Sequence, residues 1–140
     1  MSIISAVRDY LKGYSGLATG APVWVDLLGS SHTQYVVVML PGERIQEQYL
    51  NGGSLRVFPF ALQSMQSTAD DLERLETGGF YELFADWLEQ QTAVGALPQL
   101  TNKKTAVRIE ATSWAYLYEQ GQSDTGIYNI TCRLVYEQEP

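Results

Sequence analysis

Residues 78–100 read GGFYELFADWLEQQTAVGALPQL. Phe80, Leu83, Phe84, Trp87, Leu88 and Gln91 recur at the spacing of one helical face, while Glu82, Asp86, Glu89 and Gln90 fall on the other. This spacing predicts an amphipathic helix whose aromatic side covers a sheet and whose acids face water. Gly95 suits the position just past a helix end, and Pro98 cannot continue the helix. Upstream, Thr68 with Asp71 three residues on forms a variant capping box, and Asp70, Asp71 and Glu73 lie where the helix dipole favours negative charge. Thr77-Gly78-Gly79 is expected to stop that earlier helix, so two consecutive helices are predicted.

Strand patterns flank this helical block on both sides. Downstream, Thr105 to Tyr118 reads as one long strand, with Val107, Ile109 and Ala111 on one face and Arg108, Glu110 and Thr112 on the other. After the turn Glu119 to Thr125, residues Gly126 to Glu137 alternate again, with Tyr128, Ile130, Cys132, Leu134 and Tyr136 opposed to Asn129, Thr131 and Arg133. The two segments predict an antiparallel hairpin. Upstream, Arg44 to Leu50 and Ser54 to Gln66 flank Asn51-Gly52-Gly53, where Asn-Gly supplies the positive φ angles of a tight hairpin turn. Pro59 lacks a backbone donor and predicts an edge or a bulge.

Earlier still, Tyr35 to Leu40 reads as a short buried strand, Pro22 to Leu28 as another, and GSSHT between them as a turn. Ser2 caps a first helix carrying Ile3, Ile4, Val7, Tyr10, Leu11 and Tyr14 on one face and ending before Gly16. Helix, strands, hairpin, two helices and hairpin, in that order, predict an α+β fold: a mostly antiparallel, mixed sheet with helices packed on one face.

The chain has 140 residues, enough for one domain spanning 1–140 that buries roughly two thirds of its unfolded surface. A formal net charge of −7 and nine scattered Lys and Arg offer no basic stripe for nucleic acid or for an anionic membrane. The longest apolar run, Tyr35 to Leu40, is too short to cross a bilayer, and the first ten residues lack the pattern of a signal peptide. One cysteine, Cys132, excludes an intrachain disulfide and points to a reducing compartment.

Catalytic, metal-binding and cofactor-binding motifs are absent: there is no phosphate loop, dinucleotide fingerprint, HExxH or nucleophile elbow. The single histidine, His32, lies in a Ser-rich turn and is expected to be solvent-exposed. Cys132 is expected to be a small buried hydrophobe, and Glu82, Asp86 and Glu89 a solvated face. No enzyme activity, cofactor or metal is expected. Trp114, Tyr116 and Tyr118 stand apart, because Ala115 and Leu117 opposite them are apolar too. A strand apolar on both faces needs cover on both, which makes these three aromatics candidate subunit-interface residues.

Several stretches also resemble a known family. Tyr49-Leu50-Asn51-Gly52-Gly53 followed by Phe58-Pro59-Phe60, then Gly79-Phe80-Tyr81-Glu82 with Trp87-Leu88-Glu89-Gln90-Gln91, then Gly95-Ala96-Leu97-Pro98, and finally Tyr128-Asn129-Ile130 with Arg133-Leu134-Val135-Tyr136 are similar to the minor capsid or tail-terminator-like proteins of tailed bacteriophages and prophages. The resemblance runs from about Tyr35 to Glu137. It implies a structural protein of the virion, assembled in the host cytoplasm and located at the head-tail junction. Such a protein forms a homo-oligomeric ring, usually hexameric, that caps the tail-tube protein, stops its polymerisation and offers a surface to the head-connector protein. DNA would pass through the lumen without specific binding. The family's α+β fold, with helices on one side of a mixed sheet, agrees with the element order. Another head- or tail-completion protein is the nearest alternative. An alternative of a different class is a small enzyme or ligand-binding domain, which would need a cavity lined by Phe84, Trp87 and Trp114 that converges on His32.

Overall fold

The computed structural model describes residues 2–17, 23–25, 35–67, 71–120 and 125–140. Its sheet is built around two fourteen-residue strands, β4 (Ser54–Ser67) and β7 (Thr125–Gln138), which pair antiparallel from Ser54↔Gln138 to Ser67↔Thr125. β2 (Tyr35–Met39) lies antiparallel on the far side of β4, and β1 (Val23–Val25) runs parallel to β2. β3 (Ile45–Gln48) pairs with β4 beyond the end of β2. On the other side, β7 pairs antiparallel first with β6 (Tyr116–Gln120) and then with β5 (Lys104–Ala111). The order β1-β2-β4-β7-β5, with β3 and β6 off that path, makes a mixed but mostly antiparallel sheet. Together with α1 (Ile3–Leu11) and α2 (Asp71–Val94) this is the α+β fold expected from the element order.

Both helices contribute to one core on one side of the sheet. Val7 and Leu11 of α1, Tyr14 just beyond it, and Tyr81, Phe84 and Leu88 of α2 cluster with Tyr35, Val37, Phe60, Leu62, Ile109 and the alternating β7 residues Tyr128, Ile130, Cys132, Leu134 and Tyr136. An aromatic seam joins the helices, with the Tyr14 ring centroid 4.9 Å from Trp87 and 5.6 Å from Phe84. Ser2 caps α1 by accepting from the Ser5 amide at 3.2 Å. The helix then gives way at Lys12 to tight turns, Gly13 to Tyr10 and Tyr14 to Leu11, earlier than its apolar spacing predicts. These turns carry Tyr14 inward.

α2 corrects two expectations. Asp71–Val94 is one continuous helix through Gly78 and Gly79, and not two helices with a stop between them. Neither glycine has a positive φ, and a glycine inside a helix costs only about 1 kcal/mol relative to alanine, which the burial of Tyr81, Phe84 and Leu88 far exceeds. The Thr68 cap and Asp70 lie outside the described residues. The inward face is also rotated: Tyr81 is fully buried, while Leu83 is 63% exposed. Tyr81 enters the core because its hydroxyl finds Ser64 on β4, at 2.5 Å, and lies 3.5 Å from the Tyr128 carbonyl.

The β3–β4 turn forms where Asn51-Gly52-Gly53 predicts it, with a different division of labour. Only Gly52 takes a positive φ, of 93°. Its amide donates to Tyr49 O at 3.1 Å, the Tyr49 amide donates to Gly53 O at 2.8 Å, and Asn51 Oδ1 accepts from the Gly53 amide at 2.9 Å. This is a three-residue loop whose last residue is left-handed, a position that favours glycine. Pro59 lies within β4, between strands, yet its missing donor does no harm. Its carbonyl accepts from Leu40 in the interval where β2 has ended and β3 has not begun, so its nitrogen faces the same gap.

Candidate interaction site

The predicted strand Thr105–Tyr118 is interrupted at residues 112–115, and side-chain hydroxyls cause the break. Thr112 still donates its amide to the Thr131 carbonyl at 2.7 Å. Ser113 Oγ then accepts from the Thr131 amide at 3.1 Å and from the Thr131 hydroxyl at 2.7 Å, taking the place of a backbone carbonyl. A side chain substituting for a ladder carbonyl expels the next residue, as local Ser hydrogen bonding does elsewhere. Trp114 is that residue, 80% exposed. A second irregularity, between Ala106 and Arg108, leaves Val107 partly exposed and turns Ala106 toward the core instead. α2 secures β5 near this point: Thr92 Oγ1 donates to Ile109 O at 2.7 Å and accepts from the Ile109 amide at 3.0 Å.

Because of the break, Trp114, Tyr116 and Tyr118 are all exposed but do not share one face. Tyr116, 45% exposed, points to the side of the sheet away from the helices, where its hydroxyl accepts from Asn129 Nδ2 at 2.9 Å and Gln63 Nε2 donates to Asn129 Oδ1 at 3.0 Å. Arg133 of the same face holds Glu110 at 2.6 Å. Tyr118 is 58% exposed on β6. Trp114 lies on the helix side, beside the acidic flank of α2.

There a groove runs between α2 and the interruption. One cavity of about 360 Å³ is lined by Glu82, Ala85, Asp86, Glu89, Ala111, Thr112, Ser113 and Trp114. An adjoining one of about 410 Å³ adds Gly78, Gly79, Tyr81, Ala115 and Ile130. Glu82, Asp86 and Glu89 are exposed, as their helical positions predict, and no described Lys or Arg pairs with them. Sequence reading missed the groove, since nothing in the pattern of residues 105–118 marks the break that sets Trp114 opposite these acids.

The residues proposed for a ligand pocket do not all meet. Phe84 and Trp87 are in contact, with ring centroids 6.2 Å apart, but Phe84 is fully buried, Trp87 also packs against Tyr10 and Tyr14 near α1, and Trp114 is on the other flank of α2. His32 lies outside the described residues, as do the side chains of Asp71 and Glu73. Among the described residues, no three His, Cys, Asp or Glu side chains gather to hold a metal.

Cys132 is buried, and burial pushes its thiol well above the ordinary 9.0. Burial likewise pushes the Tyr81 phenol up from 10.0, against the lowering effect of the Ser64 hydrogen bond. Both groups fold in their neutral forms, so their contribution to stability is essentially complete below about pH 8.5 and is lost as the pH rises and the unfolded chain gives up these protons. Urea midpoints are expected to stay level from about pH 7 to 8.5 and then fall, with the fall beginning about one unit later in Cys132→Ala. A level midpoint up to about pH 11 would contradict this.

Compared with known proteins, the chain matches no family model, and none of the curated proteins matches it.

Proposed function

We propose that this chain is a structural protein of a tailed bacteriophage or prophage particle: a tail terminator at the head-tail junction that caps the tail tube, stops its polymerisation and offers a surface to the head connector. Two things support this reading, the resemblance carried by residues 35–137 and the aromatic edge strand β6. The second carries it, because among the described residues β6 bonds to β7 alone, and β6 carries the exposed Tyr116 and Tyr118. An edge strand with exposed aromatics is suited to continuing or packing against a neighbour's sheet, and repetition of one such head-to-tail contact gives a ring when its rotation closes. With a net charge of −7 on each copy, a lumen lined by acids would repel DNA and let it slide.

Light scattering coupled to gel filtration, with negative-stain images, tests the ring directly. The expected result is a closed ring that caps purified tail tubes, and a shift to monomer in the double variant Tyr116→Asp, Tyr118→Asp, with far-UV circular dichroism unchanged. A strict monomer at high concentration that also fails to cap tubes would overturn the assignment. Tight DNA binding by the ring at low salt would overturn the repulsive lumen alone.

A further inference from the structure

The groove beside α2 is distinct from the β6 edge, and its composition specifies a visitor. A Cβ added to Gly78 or Gly79 would meet nothing within 4 Å, so no packing among the described residues requires either glycine. Both line the groove, where their lack of side chains leaves the helix surface low enough for another backbone to approach closely. Ala85, Ala115 and Ile130 contribute apolar lining, and the 80% exposed Trp114 stands beside them. Glu82, Asp86 and Glu89 follow one flank of α2 along the groove with no described cation to neutralise them.

We propose that this groove binds a Lys- or Arg-bearing segment of a partner protein, whose aliphatic stems lie on Ala85 and the Trp114 indole and whose cationic heads pair with Glu82, Asp86 and Glu89. Long basic side chains match such a surface because they bury their stems while their charges stay at the rim, and an indole face attracts a cation. Charge complementarity at the groove selects a basic segment, and a second copy of this chain is poor in such segments, with nine Lys and Arg against sixteen Asp and Glu. The proposal does not depend on the ring: a monomeric chain would bind the segment equally well.

The test is a titration of the full chain into a dye-labelled ten-residue peptide of alternating Lys and Ala, followed by fluorescence anisotropy of the dye at low salt, with an alternating Glu and Ala peptide as control. Saturable binding of the Lys peptide alone is expected, weakened about tenfold or more in 0.5 M salt. It should be lost in Trp114→Ala and weakened at least as strongly in the triple variant Glu82→Gln, Asp86→Gln, Glu89→Gln. These side chains are exposed, so circular dichroism should show every variant folded. No binding, equal binding of the acidic peptide, or binding indifferent to the substitutions would overturn the proposal. So would self-association of the chain alone, seen by light scattering and lost in Trp114→Ala, because the occupant would then be a second copy.

Discussion

Phe84→Ala is expected to lower stability by about 3–5 kcal/mol, the range for deleting a fully enclosed phenylalanine. Phe84 has no exposed surface and lies between the Tyr14 ring, at 5.6 Å, and the β strands beneath α2. Neither the helix backbone nor a sheet anchored by fourteen paired residues can collapse into the space it leaves. For a chain of this size the loss corresponds to a fall in Tm of roughly 10–15 °C. Leu83→Ala, one position away, is the control: its side chain already faces solvent, so the change should stay within about 0.5 kcal/mol. Chemical denaturation of the two variants measures how α2 is rotated on the sheet. Equal losses would place the inward face where the simple apolar spacing puts it and not where Tyr81 lies.

The second large effect concerns the glycine pair. Gly79→Pro is expected to cost about 3 kcal/mol or more, because within a continuous helix a proline removes one backbone hydrogen bond and its ring meets the carbonyl four residues earlier. Gly79→Ala should act in the opposite direction and raise stability by about 0.5–1 kcal/mol, since its φ is not left-handed and its Cβ meets open space. A helix that stopped at Thr77 and restarted at Phe80 would reverse both signs: proline would be tolerated between the two pieces, and alanine at a left-handed stop would be strained. Melting curves of the two variants therefore decide between one helix and two.

How far the residues foretold this arrangement depends on which force acts at each place. The α1 cap, the inward residues of β4 and β7 and the hairpin at Asn51-Gly52-Gly53 follow from local pattern, and tertiary packing agrees with that pattern. Prediction fails where a distant partner outweighs a local preference. Gly78-Gly79 resembles a stop, but the burial of Tyr81, Phe84 and Leu88 just beyond it favours a continuous helix. Tyr81 looks amphipathic until Ser64, 17 residues away, takes its hydroxyl. Thr112–Ala115 alternates like a strand, yet Ser113 takes up a hydrogen bond from Thr131, 18 residues on, and turns Trp114 out. The candidate interface residues were thus visible as unusual aromatics, whereas their division between a sheet edge and an acidic groove was not.

The pairing of β4 with β7 also governs how the chain reaches this state. Gln63 and Asn129, joined across it, are 66 residues apart in sequence, and everything between them must be looped out before they meet. Neither β2 and β3 on one side nor β5 and β6 on the other touches the opposite half of the sheet except through these two strands. Helices α1 and α2 form from local contacts in microseconds, and α1 can settle on β1 and β2 and α2 on β5, but the sheet beneath both helices is complete only after that long closure. Final assembly is therefore expected to wait on one distant encounter, with the apolar face of each half of the sheet partly uncovered until the two long strands meet.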